Sequence, residues 1–184
     1  MLAGLSRSKV SYEQLYELFP VIAPLPAIQK DPSADPLVRL CDAGFAYKPA
    51  HMVFDHVNLS VSQGEKIVIE GESGKGKSTL MKVIAGLYAP AKGTIFYKDP
   101  LSISYVPQDP SLFTGTILEN IRMGNGCADK QAIEEAAEKA GLHEWIENLP
   151  HGYDTHLDVL GKQNLSQGQM QRIAIARALL RKAD

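Results

Sequence analysis

Apolar residues change their spacing several times along the chain, and each change marks a different kind of element. Over the first nineteen positions Leu15, Leu18 and Phe19 stand among Glu and Gln in a loosely amphipathic, helical pattern. Five prolines between Pro20 and Pro36 end it and leave a stretch without periodicity, which reads as an extended linker. Residues 1–36 are therefore set apart from a domain that begins near Leu37. Leu37-Val38-Arg39-Leu40 and Gly44-Phe45-Ala46-Tyr47 are strand-like, and Asn58-Leu59-Ser60-Val61 alternates polar with apolar, so an antiparallel edge is expected. Lys66-Ile67-Val68-Ile69 sets three β-branched apolar residues in a row, the pattern of a strand buried on both faces of a parallel sheet.

Helical spacing returns with Leu80, Met81, Val83, Ile84 and Leu87, and Pro90 follows, which predicts a helix from Lys77 to Tyr88. Gly93 to Tyr97 and Ile103 to Val106 revert to strand character. From Thr116 to Leu149 the pattern is helical again, with Ala132, Ile133, Ala136, Ala137 and Ala140 on one face and Gly141 as its stop.

The chemistry sits where the buried strand should meet the first helix. Gly71-Glu72-Ser73-Gly74-Lys75-Gly76-Lys77-Ser78 matches GxxxxGK[ST] in the strand-to-helix setting that motif requires. Glycines let successive backbone N–H groups turn inward around phosphate oxygens, and the helix start adds partial positive charge. Lys77 is placed to reach β- and γ-phosphates, Ser78 to complete a Mg²⁺ shell and Thr79 to support the α-phosphate. Lys75 lies inside the loop, where its backbone matters more than its side chain. A glycine-rich turn with an accidental lysine is the plainer alternative, and the flanking elements weigh against it.

Bulk properties narrow the remaining choices. The 184 residues suit one domain, and a net charge of -2 with no block of Lys or Arg gives no reason to propose nucleic acid as a partner. Cys41 and Cys127 are far apart, which fits a reducing compartment. No apolar run approaches the ~20 residues that cross a bilayer.

A second motif follows at Leu165-Ser166-Gln167-Gly168-Gln169, continued by Met170-Gln171-Arg172-Ile173-Ala174-Ile175-Ala176-Arg177-Ala178-Leu179-Leu180. Ser166 is a good N-cap and Gln169 completes a capping box, so a helix is expected from Ser166. This run resembles the signature of ABC transporter ATPases, with Gln167 where the family usually has Gly. The resemblance implies an α/β P-loop NTPase fold: a RecA-like core with an antiparallel β edge and a helical subdomain at about 109–165. It implies ATP and Mg²⁺ as ligands, Tyr47 stacked on adenine, and Gln108 with Ser78 in the Mg²⁺ shell. Gly71, Ser73, Gly74, Lys75, Gly76, Lys77, Ser78 and Thr79 would hold phosphates. Ser166, Gly168 and Gln169 would meet the γ-phosphate of ATP held by a second ATP-binding domain. Leu112 to Ile121 and Leu149 to Thr155 resemble the helical subdomain of exporters, and Ser11 to Phe19 resembles the linker after the last membrane helix. A transmembrane domain is the implied partner, at the cytoplasmic face of a membrane.

Three departures qualify the match. The segment between Gly93 and Val106 is short, and Val159 stands where many exporters carry a glutamate. The family's apolar strand ending in Asp-Glu, which orients Mg²⁺ and activates water, does not precede Asp184, and the C-terminal part of the core is expected to be missing along with the switch histidine. Binding of ATP with poor hydrolysis is the expectation, and a catalytically silent dimer partner is the alternative. A soluble ABC ATPase of repair or translation is a third reading, disfavoured by the linker.

Overall fold

The computed structural model describes residues 29–31, 35–48, 51–157 and 165–183. The expected N-terminal helix, Val159 and Asp184 lie outside them. The described chain forms two compact units that divide after Asp99.

The first unit is built on a four-stranded sheet of order β1-β4-β2-β3, with β1 Gln29–Asp31, β2 Val38–Lys48, β3 His51–Val61 and β4 Lys92–Lys98. The expected antiparallel edge is present: β2 pairs antiparallel with both β3 and β4. β1, inside the stretch read as linker, pairs parallel with β4, Gln29 opposite Phe96. A bulge lets β2 keep one apolar face. Val38 and Leu40 are buried, the register shifts between Leu40 and Ala43, and Ala43 and Phe45 are buried in turn. Asp42 and His56 take up the irregularity with φ of 50° and 55°, the left-handed region that Asp and His tolerate better than most residues.

Among the described residues one helix belongs to this unit, α1 Lys77–Ile84. It ends four residues before the expected Tyr88 because Gly86 turns to φ 72°, and the Gly86 N–H donates to Val83 O at 3.0 Å. Val83 is fully buried, and the Tyr97 hydroxyl of β4 donates to the Val83 and Ile84 carbonyls, 3.1 Å each, closing the helix end. Burial pushes the Tyr97 pKa up to about 12.

Two expected strands are not formed. Lys66-Ile67-Val68-Ile69 is irregular, and Val68 is 78% exposed. Ile103 to Val106 has no ladder either. Three apolar residues in succession describe a strand that is covered on both faces and paired on both edges. Among the described residues no strand pairs with either segment, and a backbone without a ladder keeps its N–H and C=O groups in water.

The second unit is mainly helical: α2 Ile117–Arg122, α3 Lys130–Lys139, α4 His143–Glu147 and α5 Gln167–Leu180, with the two-residue strands β5 Gly115–Thr116 and β6 His156–Leu157. Its core gathers Ile117, Ile121, Ile133, Leu142, Ile146 and Ile173, all fully buried. Trp145 packs against this cluster. Gly141, at φ 67°, stops α3 as expected. Gly124 lets two backbones touch, since a Cβ there would run into the Arg177 carbonyl oxygen.

Candidate functional site

The glycine loop from Gly71 to Gly76 opens onto the start of α1. Gly76 is the N-cap at φ 85°, with no side-chain cap. The first hydrogen bond of the helix runs from the Leu80 N–H to Gly76 O at 2.8 Å, so the N–H groups of Lys77, Ser78 and Thr79 lack intrahelical acceptors. No acidic side chain sits in this first turn to compete for them. Gly71 and Gly74 also have positive φ, and a Cβ on either would meet nothing within 4 Å, which leaves room for a ligand. Val53 backs the loop: a Cβ on Gly76 would lie 2.6 Å from Val53 Cγ1.

The Lys77 ammonium donates to Gly71 O at 2.7 Å and Glu72 O at 2.8 Å, so it is held across the loop. Ser73 and Ser78 are exposed, and Thr79 is buried. Among the described residues the Lys75 ammonium pairs with Glu72, at 3.6 Å, and both side chains are exposed, so its charge is of little structural weight. Tyr47 is brought to the same helix. The residue is 60% exposed while its hydroxyl lies 3.1 Å from Thr79 Oγ1. Phe45 and Tyr88, themselves stacked at 5.3 Å, meet the Tyr47 ring nearly perpendicularly, at 5.0 and 5.9 Å.

The other anticipated residues belong to the second unit. Ser166 is the N-cap of α5 with the full capping box: Gln169 N–H to Ser166 Oγ at 3.2 Å, and Ser166 N–H to Gln169 Oε1 at 2.8 Å. Gly168 lies in the first turn, with open space around it beyond the Ser166 hydroxyl. Gln108 is exposed, and its carbonyl accepts from Gln171 Nε2 at 3.2 Å, which ties the loop before α2 to α5.

Sequence reasoning missed the residue that organises this second unit. The Arg177 guanidinium donates to Asn120 O at 2.7 Å, Asn120 Oδ1 at 2.6 Å and Ser111 O at 2.7 Å, and it lies 5.3 Å over the Phe113 ring. Burial lowers its pKa, and Arg stays charged. Asn120, 1% exposed, in turn donates to Phe113 O and Thr116 O and accepts from Phe113 N–H. A 470 Å³ cavity opens beside this network, between Ser104, Asp109, Met123 and Arg181. The available signal was Arg177 within the signature run, whose polar head had no partner nearby in sequence.

A glycine nest at a helix N-terminus, with a lysine folded over it and an aromatic alongside, defines a P-loop nucleotide-binding protein. The ABC transporter family model matches residues 54–184. Over 201 residues the chain is 36% identical to an uncharacterised ABC transporter ATP-binding protein of Sinorhizobium fredii, covering 100% of this chain and 34% of that protein. It is 34% identical over 195 residues to the mitochondrial iron-sulfur clusters transporter ATM1 of Chaetomium globosum, covering 96% and 32%. A bacterial Atm1-family ABC exporter with ATP bound superposes with a TM-score of 0.78 at 28% identity, over 97% of this chain and 33% of that one. The chain belongs to the ABC transporter family, as an ATP-binding domain of the exporter type with the P-loop NTPase fold. It spans about a third of the length of these relatives.

Proposed function

We propose that the chain binds ATP with Mg²⁺ at the Gly71–Thr79 loop, as one of two ATP-binding domains that drive an exporter at the cytoplasmic face of a membrane. The observation that carries this reading is the open nest at the start of α1, where three N–H groups and a lysine ammonium lack any acidic competitor. A polyphosphate fits the donor set, since Lys77 exchanges two loop carbonyls for phosphate oxygens without moving the backbone. Mg²⁺ prefers oxygen ligands, and the exposed Ser78 hydroxyl is the group of the first unit that would join its shell. When bound, the ion neutralises charge on the β- and γ-phosphates. Tyr47 offers an exposed ring for the base. The first turn of α5, with Ser166, Gly168 and Gln169, is the surface for the γ-phosphate of the partner domain's ATP. Residues 1–36 are the linker from a transmembrane domain, residues 37–184 the ATP-binding region, and about 109–165 its helical subdomain.

Residues 1–184 contain no apolar strand ending in Asp-Glu, so by themselves they hold ATP with little hydrolysis. The second reading is a catalytically silent dimer partner. One experiment addresses both readings: binding of a fluorescent ATP analogue with Mg²⁺, measured with phosphate release, on the chain and its Lys77→Ala variant. The expected result is binding weakened at least about tenfold in the variant, with negligible phosphate release by either protein. Equal binding by both would remove the loop from the site. Turnover by the chain would overturn the binding-only reading.

A further inference from the structure

We infer that the Tyr47 hydroxyl is a positioning group for phosphate, acting through Thr79, in addition to any contact its ring makes with a base. This rests on the nucleotide-binding reading of the loop. Tyr47 Oη and Thr79 Oγ1 are 3.1 Å apart, and either oxygen can donate while the site is free. A phosphate oxygen can only accept, so a phosphate at the start of α1 requires Thr79 to donate to it. The Thr79 lone pair then accepts from Tyr47, and a two-bond chain forms from tyrosine to threonine to phosphate, each bond polarising the next.

The surroundings hold this chain in place. Thr79 is 8% exposed, which limits water as a substitute for Tyr47. Phe45 and Tyr88 meet the Tyr47 ring almost perpendicularly, at 87° and 84°, and fix where its hydroxyl points. Tyr97 does the matching job at the other end of α1, on the Val83 and Ile84 carbonyls. The helix that offers its N–H groups to phosphate is thus pinned at both ends by tyrosine hydroxyls from the sheet.

A base-stacking residue and a phosphate-positioning residue respond differently to loss of the hydroxyl alone. Tyr47→Phe keeps the ring and its aromatic contacts, and Thr79→Val removes the same hydrogen bond from the other side. The dissociation constants of ATP and of inorganic tripolyphosphate, which has no base, are measured for the chain, both variants and the double variant. Each measurement is made at a temperature where circular dichroism shows the protein folded. Tyr47→Phe is expected to weaken both ligands alike, by roughly fivefold. The double variant should be no weaker than Thr79→Val. Unchanged affinity in Tyr47→Phe, a loss confined to ATP, or additive losses in the double variant would each overturn the inference. Failure of the unaltered chain to bind either ligand would overturn the reading of the loop, and this inference with it. Loss in Lys77→Ala alongside full affinity in Tyr47→Phe would overturn only the role of the hydroxyl.

Discussion

His56 lies on the bulge of β3 between two carboxylates. Its Nδ1 is 2.7 Å from Asp42 Oδ1 and its Nε2 is 3.9 Å from Asp55 Oδ2, while Lys92 reaches Asp55 at 3.0 Å. The Asp42 hydrogen bond, followed by the charges of Asp42 and Asp55, raises the imidazole pKa above its ordinary 6.5 against the opposing pull of desolvation and Lys92. A group whose pKa is raised by folding stabilises the fold while protonated. That contribution is complete below the unfolded value and disappears as pH rises through the folded one. The melting temperature of the chain minus that of His56→Asn should therefore be larger near about pH 5.5 than near about pH 8. The pair is exposed, so the change is small, and an equal difference at both pH values would refute it. At Gly76 the cost is steric. Alanine there must hold φ 85° and press on Val53, so Gly76→Ala should lose about 1–2 kcal/mol in urea denaturation. Ser166 and Gln169 were legible in the sequence because a capping box is complete within four residues. Arg177 was not, because its acceptors lie 57 and 66 residues away.

The signature helix α5 is fixed at its start by a local cap and along its length by Arg177. Ser166→Ala should cost about 1 kcal/mol, the usual value of an N-cap hydroxyl. Arg177→Leu should cost more, about 2–3 kcal/mol, because it strips three carbonyl-type oxygens of a charged donor and leaves the buried Asn120 under-satisfied. Chemical denaturation followed by circular dichroism ranks the two, and a smaller loss for Arg177→Leu would show that water replaces the guanidinium. Helices were well anticipated, since their hydrogen bonds close within the segment that carries the pattern. Lys66 to Ile69 and Ile103 to Val106 were not, because a strand also needs a ladder partner, and apolar spacing reports the demand for burial without supplying one. The stop of α1 was misplaced for a simpler reason: Leu87 fits the helical period, yet Gly86 has already left the helix.

Across the whole chain, the structure leaves Ile67 and Val68 exposed beside the loop that carries the proposed site. An unpaired apolar stretch of high β-propensity is an aggregation hazard. The purified chain is expected to scatter light on standing at room temperature, and Val68→Lys to reduce that scatter. A single cooperative thermal transition well above room temperature without ligand would refute this marginal stability. If the proposed site is correct, ATP with Mg²⁺ at 100 times its dissociation constant adds about 2.7 kcal/mol to the fold that binds it.

Trp145 is the one tryptophan of the chain, and it packs on the helical core of the second unit, whereas the glycine loop belongs to the first. Intrinsic fluorescence excited at the indole band is therefore a local dye for the signature half. A melt followed by that emission would register α5 and its neighbours and pass over the phosphate loop, and agreement with circular dichroism, which sums over both units, would be the optical mark of two units unfolding as one.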